Sequence, residues 1–216
     1  EDILLWCDSA YTYTGTNRVD AFGNVHINQG DTIDLYAGKI YYNGDIGLAR
    51  ASKDVRLINK TTTLYTDTLH YETENNTGYY DDFGKIVDST NVLTSLMGKY
   101  FIDEDIIHFY SDVEGYNENY TLESDTLIYN TLSKRMFVRG PTVIKDSANT
   151  LYTEEGWYDS NTGEAELIKN SRVFNETQEL KAAYIKYNET NGKGRAIGGV
   201  RIEDFENEII ITGETA

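Results

Sequence analysis

The chain reads as an all-β protein built from stacked two-stranded repeats, and three observations lead there. Tyrosine is abundant, with 18 in 216 residues, alongside many Thr, Ile and Val, a composition that favours strands. There is one proline, so almost every residue outside the turns is free to donate to a hydrogen-bonded ladder. Finally, Tyr13, Tyr42, Tyr71, Tyr100, Tyr129, Tyr158 and Tyr187 recur at a constant spacing of 29 residues, and a fixed period of this size is the signature of a repeat architecture.

Each repeat opens on a large apolar marker seven residues before its tyrosine: Trp6, Leu35, Leu64, Leu93, Leu122, Leu151 and Leu180. An eighth repeat starts at Ile209. The marker-to-tyrosine segment is the first strand, as in Leu64-Tyr65-Thr66-Asp67-Thr68-Leu69-His70-Tyr71 and Leu122-Glu123-Ser124-Asp125-Thr126-Leu127-Ile128-Tyr129. A polar turn follows, for example Glu74-Asn75-Asn76-Thr77-Gly78 or Asn188-Glu189-Thr190-Asn191-Gly192. Asn, Asp and Gly supply the left-handed conformations that tight turns need. The second strand centres on Val25, Val55, Ile86, Val113, Val143, Val173 or Val200, and a second polar turn closes the unit.

Marker and tyrosine are an odd number of residues apart, so an ideal strand would send them to opposite faces. The position two before the tyrosine is also apolar (Tyr11, Ile40, Leu69, Leu127, Ile185), and the position two after the marker is small (Ala37, Thr66, Ser95, Ser124, Thr153, Ala182). A β-bulge or bend near Asp67 and its equivalents would restore one inward face. Without the structure, two placements of the tyrosines stay open: inward, or outward as a cross-strand ladder. Seven and a half repeats predict about fifteen strands in one elongated domain, 1–216, a fragment of a longer chain. Pro141, after Gly140, falls at a turn or bulge.

Several functions are disfavoured. A net charge of −17 opposes nucleic-acid binding. No apolar run is long enough for a membrane-spanning helix. Cys7 cannot form a disulfide within the chain or a cysteine-based zinc site, and reads as a small strand residue. His26, His70 and His108 are dispersed on strands. Gly194-Arg195-Ala196-Ile197-Gly198-Gly199 reads as a hairpin turn, and Asp81-Asp82 and Asp103-Glu104-Asp105 as turn carboxylates. No catalytic residue, metal site, EF-hand spacing or cofactor is expected. Asp-Ser/Thr-apolar triplets at Asp8-Ser9-Ala10, Asp31-Thr32-Ile33, Asp67-Thr68-Leu69, Asp125-Thr126-Leu127 and Asp146-Ser147-Ala148 resemble O-glycosylation sites of exported Bacteroidota proteins, three of them also being repeat consensus.

Cys7-Asp8-Ser9-Ala10, Ala21-Phe22-Gly23-Asn24-Val25-His26-Ile27, Gly30-Asp31-Thr32, Leu64 to Leu69 with Tyr71, and Ser124-Asp125-Thr126-Leu127 with Tyr129-Asn130 resemble the OstA-like, lipopolysaccharide-transport protein A family, in its Bacteroidota form. The resemblance covers essentially the whole chain. It implies an elongated, V-shaped antiparallel β-jellyroll of two sheets. It also implies a periplasmic, non-enzymatic protein that shields lipopolysaccharide acyl chains between the sheets, delivers them toward the outer membrane, and stacks head to tail with itself or with other bridge components. Inward apolar candidates for lipid contact are Leu35, Ile40, Val55, Leu64, Leu69, Val113, Leu122, Leu127, Val143, Leu151, Val173, Leu180, Ile185 and Val200. Candidate oligomer edges are Ile3, Leu5 and Trp6 at one end and Ile209, Ile210 and Ile211 at the other. A surface of charge −17 would repel phosphorylated head groups, so acyl chains, at about 0.8 kcal/mol per buried CH₂, would carry the binding. The competing reading is a structural β-solenoid or adhesin-type repeat with a closed core and no lipid.

Overall fold

The computed structural model describes residues 3–30 and 33–216. Asp31 and Thr32, which belong to the Gly30-Asp31-Thr32 motif and to one of the triplets, lie outside the described residues. The described residues form strands β1 (Ile3–Trp6), β2 (Ser9–Tyr13), β3 (Arg18–Gln29), β4 (Ile33–Asn43), β5 (Leu48–Asn59), β6 (Thr62–Glu72), β7 (Thr77–Tyr80), β8 (Gly84–Val87), β9 (Val92–Ser95) and β10 (Met97–Phe101). They continue with β11 (Ile106–Tyr116), β12 (Thr121–Asn130), β13 (Arg135–Lys145), β14 (Thr150–Asp159), β15 (Glu164–Lys169), β16 (Ser171–Phe174), β17 (Gln178–Ala182), β18 (Tyr184–Asn188), β19 (Lys193–Asp204) and β20 (Ile209–Thr215). Five traverses are interrupted midway, at β1/β2, β7/β8, β9/β10, β15/β16 and β17/β18. The twenty strands are thus the fifteen passes of the chain that the repeat predicts. Two compact units result, Glu1–Phe109 and Tyr110–Ala216.

One bulge recurs along the chain. Between β5 and β6, Ser52 pairs with Thr68 and Val55 with Thr66, so two residues, Lys53 and Asp54, oppose the single Asp67. Lys53 and Asp54 both have positive φ, 70° and 52°. The same step recurs between β3 and β4, where Gly23 (72°) and Asn24 (46°) are left-handed, and Ser111 and Asp112 are left-handed at 62° and 50°. Between β12 and β13 the extra pair is Gly140-Pro141, where proline's missing N–H is not called on by the ladder. The bulge expected near Asp67 is therefore present, and its larger half lies on the return strand.

The small residues two after the marker now have a role. Thr66, Ser95, Ser124 and Thr153 are buried, and each hydroxyl donates to the carbonyl two residues on, at 3.2, 2.7, 3.1 and 2.7 Å. The hydroxyl satisfies a carbonyl that the bulge removes from the ladder.

Each bulge divides its strand between two ladders. In the first unit one ladder carries an apolar rung, Leu5–Ile27–Leu35–Leu57–Leu64–Ile86–Leu93, with every neighbour directly paired. The second unit has Leu122–Ile144–Leu151–Val173–Leu180–Ile202–Ile211. On the other ladder the lattice tyrosines alternate with smaller or slimmer residues: Tyr42–Ala49–Tyr71–Gly78–Tyr100, and Tyr129–Met136–Tyr158–Ala165–Tyr187–Gly194. Tyr100, Tyr129 and Tyr158 are buried. The inward placement holds, because the return strand leaves room beside each ring.

Two expectations are corrected. In the first repeat Trp6, Tyr11 and Tyr13 are one residue out of phase: Leu5 pairs with Ile27, Ala10 with Ala21 and Thr12 with Val19, leaving all three aromatics on the outer face, 50%, 62% and 49% exposed. A one-residue slip turns every side chain over. Val143 pairs with Glu123 and Tyr152 on the outer face, and Ile144 takes the inward place: Gly140-Pro141 is a two-residue bulge like Lys53-Asp54, so Thr142 rather than Val143 stands where Val55 does.

Candidate functional site

The two ladders of the first unit face each other, and their separation changes along the unit. At the N-terminal end they enclose an open groove of about 360 Å³, lined from one ladder by Ile3, Leu5, Ile27, Ile33, Leu35 and Leu57 and from the other by Val19, Ala21, Ile40, Leu69, Tyr42 and Tyr71. Gln29, Ala49 and Thr73 complete the lining, so among the described residues no charged side chain faces a groove of ligand-sized volume. Further along, polar side chains join the ladders. The Asn59 amide donates to the Tyr100 hydroxyl at 2.8 Å, and Lys60 Nζ sits 3.0 and 2.9 Å from the two carboxylate oxygens of Asp105.

The second unit has its own pattern. The Tyr120 and Tyr158 rings meet edge to face at 5.1 Å, and the Asn149 amide donates to the Tyr187 hydroxyl at 3.3 Å. Beyond them lies a smaller cavity of about 270 Å³, lined by Val173, Leu180, Ile185, Tyr187 and Ile202 among others. Whether a lattice tyrosine closes the space depends on the residue at the tip of the opposite ladder. Asn59, Tyr120 and Asn149 engage it. Near Tyr42 and Tyr71 the lining from that ladder is Ile3 and Ile33, and the Tyr71 hydroxyl instead donates to Asn76.

The inward candidates therefore separate by environment. Leu35, Ile40 and Leu69 line the first groove, and Val173, Leu180 and Ile185 the second cavity. Leu64, Leu122, Leu127 and Leu151 are sealed in the core, and Val55, Val113 and Val200 are buried at the bends. Ile27, Ile33, Leu57 and Ile202 belong with the lining residues and escape a reading by period alone; strand register brings them in. Of the edge candidates, Ile3 and Leu5 line the groove, and Trp6 is outside. In β20, Ile209, Ile210 and Ile211 are 50–57% exposed, with Ile211 continuing the inward rung beside Ile202.

Burial shapes the chemistry of the tyrosines. Desolvation raises the Tyr71 hydroxyl, and a further contribution comes from Asp103. Tyr80 is pushed up to about 12 by burial, partly offset by its hydrogen bond to Ser95. Tyr158 is raised by burial and by the Glu189 carboxylate that its hydroxyl donates to at 2.9 Å. All three favour the neutral phenol when folded. That contribution is fully present below the ordinary tyrosine value of about 10 and is lost as pH rises through the folded values. We expect phenolate absorbance to lag behind that of free tyrosine above pH ~10, followed by a cooperative rise that coincides with loss of the β-sheet circular dichroism signal.

Among the described residues no group of His, Cys, Asp and Glu is placed to hold a metal ion, and no helix is long and apolar enough to cross a membrane. Comparison with solved structures finds LptH of Pseudomonas aeruginosa, described as the LptA-homologous periplasmic component of the conserved lipopolysaccharide transport device. It is 13% identical, over 64% of this chain and 82% of its own, with a TM-score of 0.29. A search of curated proteins finds no match. The family model for OstA-like protein matches residues 1–125, which span both ladders of the first unit and the whole of its apolar groove. The chain belongs to the OstA-like protein family.

Proposed function

We propose that this protein is a periplasmic, non-catalytic carrier that shields lipopolysaccharide acyl chains and delivers them toward the outer membrane. Family membership supports a lipopolysaccharide-transport role. The observation that carries the finer reading is the open groove of the first unit, which has no charged lining residue among the described residues, in a chain where a quarter of the residues are charged. Burial of CH₂ groups there stabilises the complex without drawing on the acidic surface. Exposed apolar residues in β1 and β20 support transfer between copies or partners by edge-strand pairing. The sealed central rungs favour a closed structural repeat for those segments, and the open groove favours the carrier for the chain.

A photoreactive residue at Ile27 or Leu57 is expected to crosslink to lipopolysaccharide, while one at Leu93, sealed in the core, is not. Equal labelling at the three positions, or none, overturns the carrier reading.

A further inference from the structure

The outward face of the first ladder carries a second feature. Register sets Trp6, His26, Tyr36, Arg56, Tyr65 and Lys85 side by side on six successive passes of the chain. This row contains no carboxylate, in a protein of charge −17. His26 stacks between Trp6 and Tyr36, at 4.9 and 4.3 Å, and the Arg56 guanidinium lies 4.4 Å over the Tyr36 ring. Where the row meets the bend, a groove of about 610 Å³ opens, lined by Arg56, Lys85, Tyr65 and Phe83 together with Asp54 and Asp67. Tyr65 and Phe83 are 43% and 51% exposed.

The second unit repeats the arrangement four periods later. Tyr36, Arg56, Tyr65 and Lys85 become Tyr152, Arg172, Lys181 and Arg201, each 116 residues on. Arg172 lies 4.6 Å over Tyr152, and Arg172, Lys181 and Arg201 are adjacent across three passes. At the equivalent bend a groove of about 440 Å³ is lined by Tyr152, Arg172 and Lys181 with Glu154 and Asn170. Lys181 and Arg201 pair with Glu179 and Glu203 at 2.7 and 3.0 Å, in partly exposed ion pairs that water already screens.

Cations alone would suit any anion. Here they stand beside aromatic rings and beside carboxylate and amide oxygens. The rings offer apolar faces to sugar C–H groups, the carboxylates and amide accept from hydroxyls, and Arg and Lys meet phosphate or carboxylate with charge-assisted hydrogen bonds. We propose that these two outward grooves bind an acidic oligosaccharide, each on the outer face of its own unit's ladder and independently of lipid.

The test titrates the full chain with two acyl-free probes, a deacylated phosphorylated oligosaccharide and a short polygalacturonate, and with the neutral methyl ester of the latter. Binding of either acidic probe, weakened roughly tenfold in the double variants Arg56→Gln/Lys85→Gln and Arg172→Gln/Arg201→Gln, supports the proposal, and the preferred probe identifies phosphate or carboxylate as the recognised group. The variant Ile27→Glu, within the lipid groove, leaves this binding intact, so the carrier reading and this one fail separately. Equal binding of the neutral ester, no binding of either acidic probe, or unchanged affinity in folded double variants overturns it.

Discussion

Ile27→Glu is expected to abolish lipopolysaccharide binding while the protein stays folded. Ile27 is half-buried and lines the open groove between Leu5 and Leu35. A carboxylate there stays hydrated only while the groove is empty, and an acyl chain would have to strip its water without offering a hydrogen bond, a cost of several kcal/mol. Displacement of a fluorescent lipopolysaccharide should show affinity falling by well over tenfold, with a melting temperature near that of the parent. Tyr41→Glu is the control: Tyr41 follows Ile40 in the strand, faces outward and is 39% exposed. If both variants bind equally, the groove is not the lipid site.

The second large effect concerns the seat of Tyr80. Its ring lies against the backbone of Gly84 and Gly98, where a Cβ at either position would overlap the ring, and its hydroxyl is 2.7 Å from Ser95 Oγ. Gly98→Ala must displace a fully packed aromatic ring, and we expect a loss of about 1–3 kcal/mol in urea unfolding. Tyr80→Ala leaves a cavity and costs about 3–5 kcal/mol. The double variant separates overlap from a general intolerance of alanine. With the ring gone, Gly98→Ala should add little, and the strong non-additivity identifies the contact. Additive losses would place the strain elsewhere.

Much of this was legible before any coordinates. The 29-residue lattice yields the fifteen passes, the bulge near Asp67 and the inward rungs at Leu35, Leu64, Leu122, Leu151 and Leu180. These follow from covalent periodicity, since a strand's faces alternate and one odd offset requires one phase change. The first repeat misleads because Trp6, Tyr11 and Tyr13 keep the lattice spacing while their strands pair one residue out of step. Val143 misleads because it is β-branched but sits one residue past the position that Val55 holds after its bulge, where Thr142 stands instead.

The sequence by itself determined the class of fold, the repeat, the family and which positions are apolar. Only the tertiary structure decided which of those positions are sealed and which are open. That depends on pairs far apart in the chain, such as Asn59 with Tyr100 and Asn149 with Tyr187, set against the apolar Ile3 and Ile33 lining near Tyr42 and Tyr71. A tyrosine's spacing marks its place on a ladder. Its partner on the opposite ladder, brought near only by folding, determines whether it shuts the space or lines a groove.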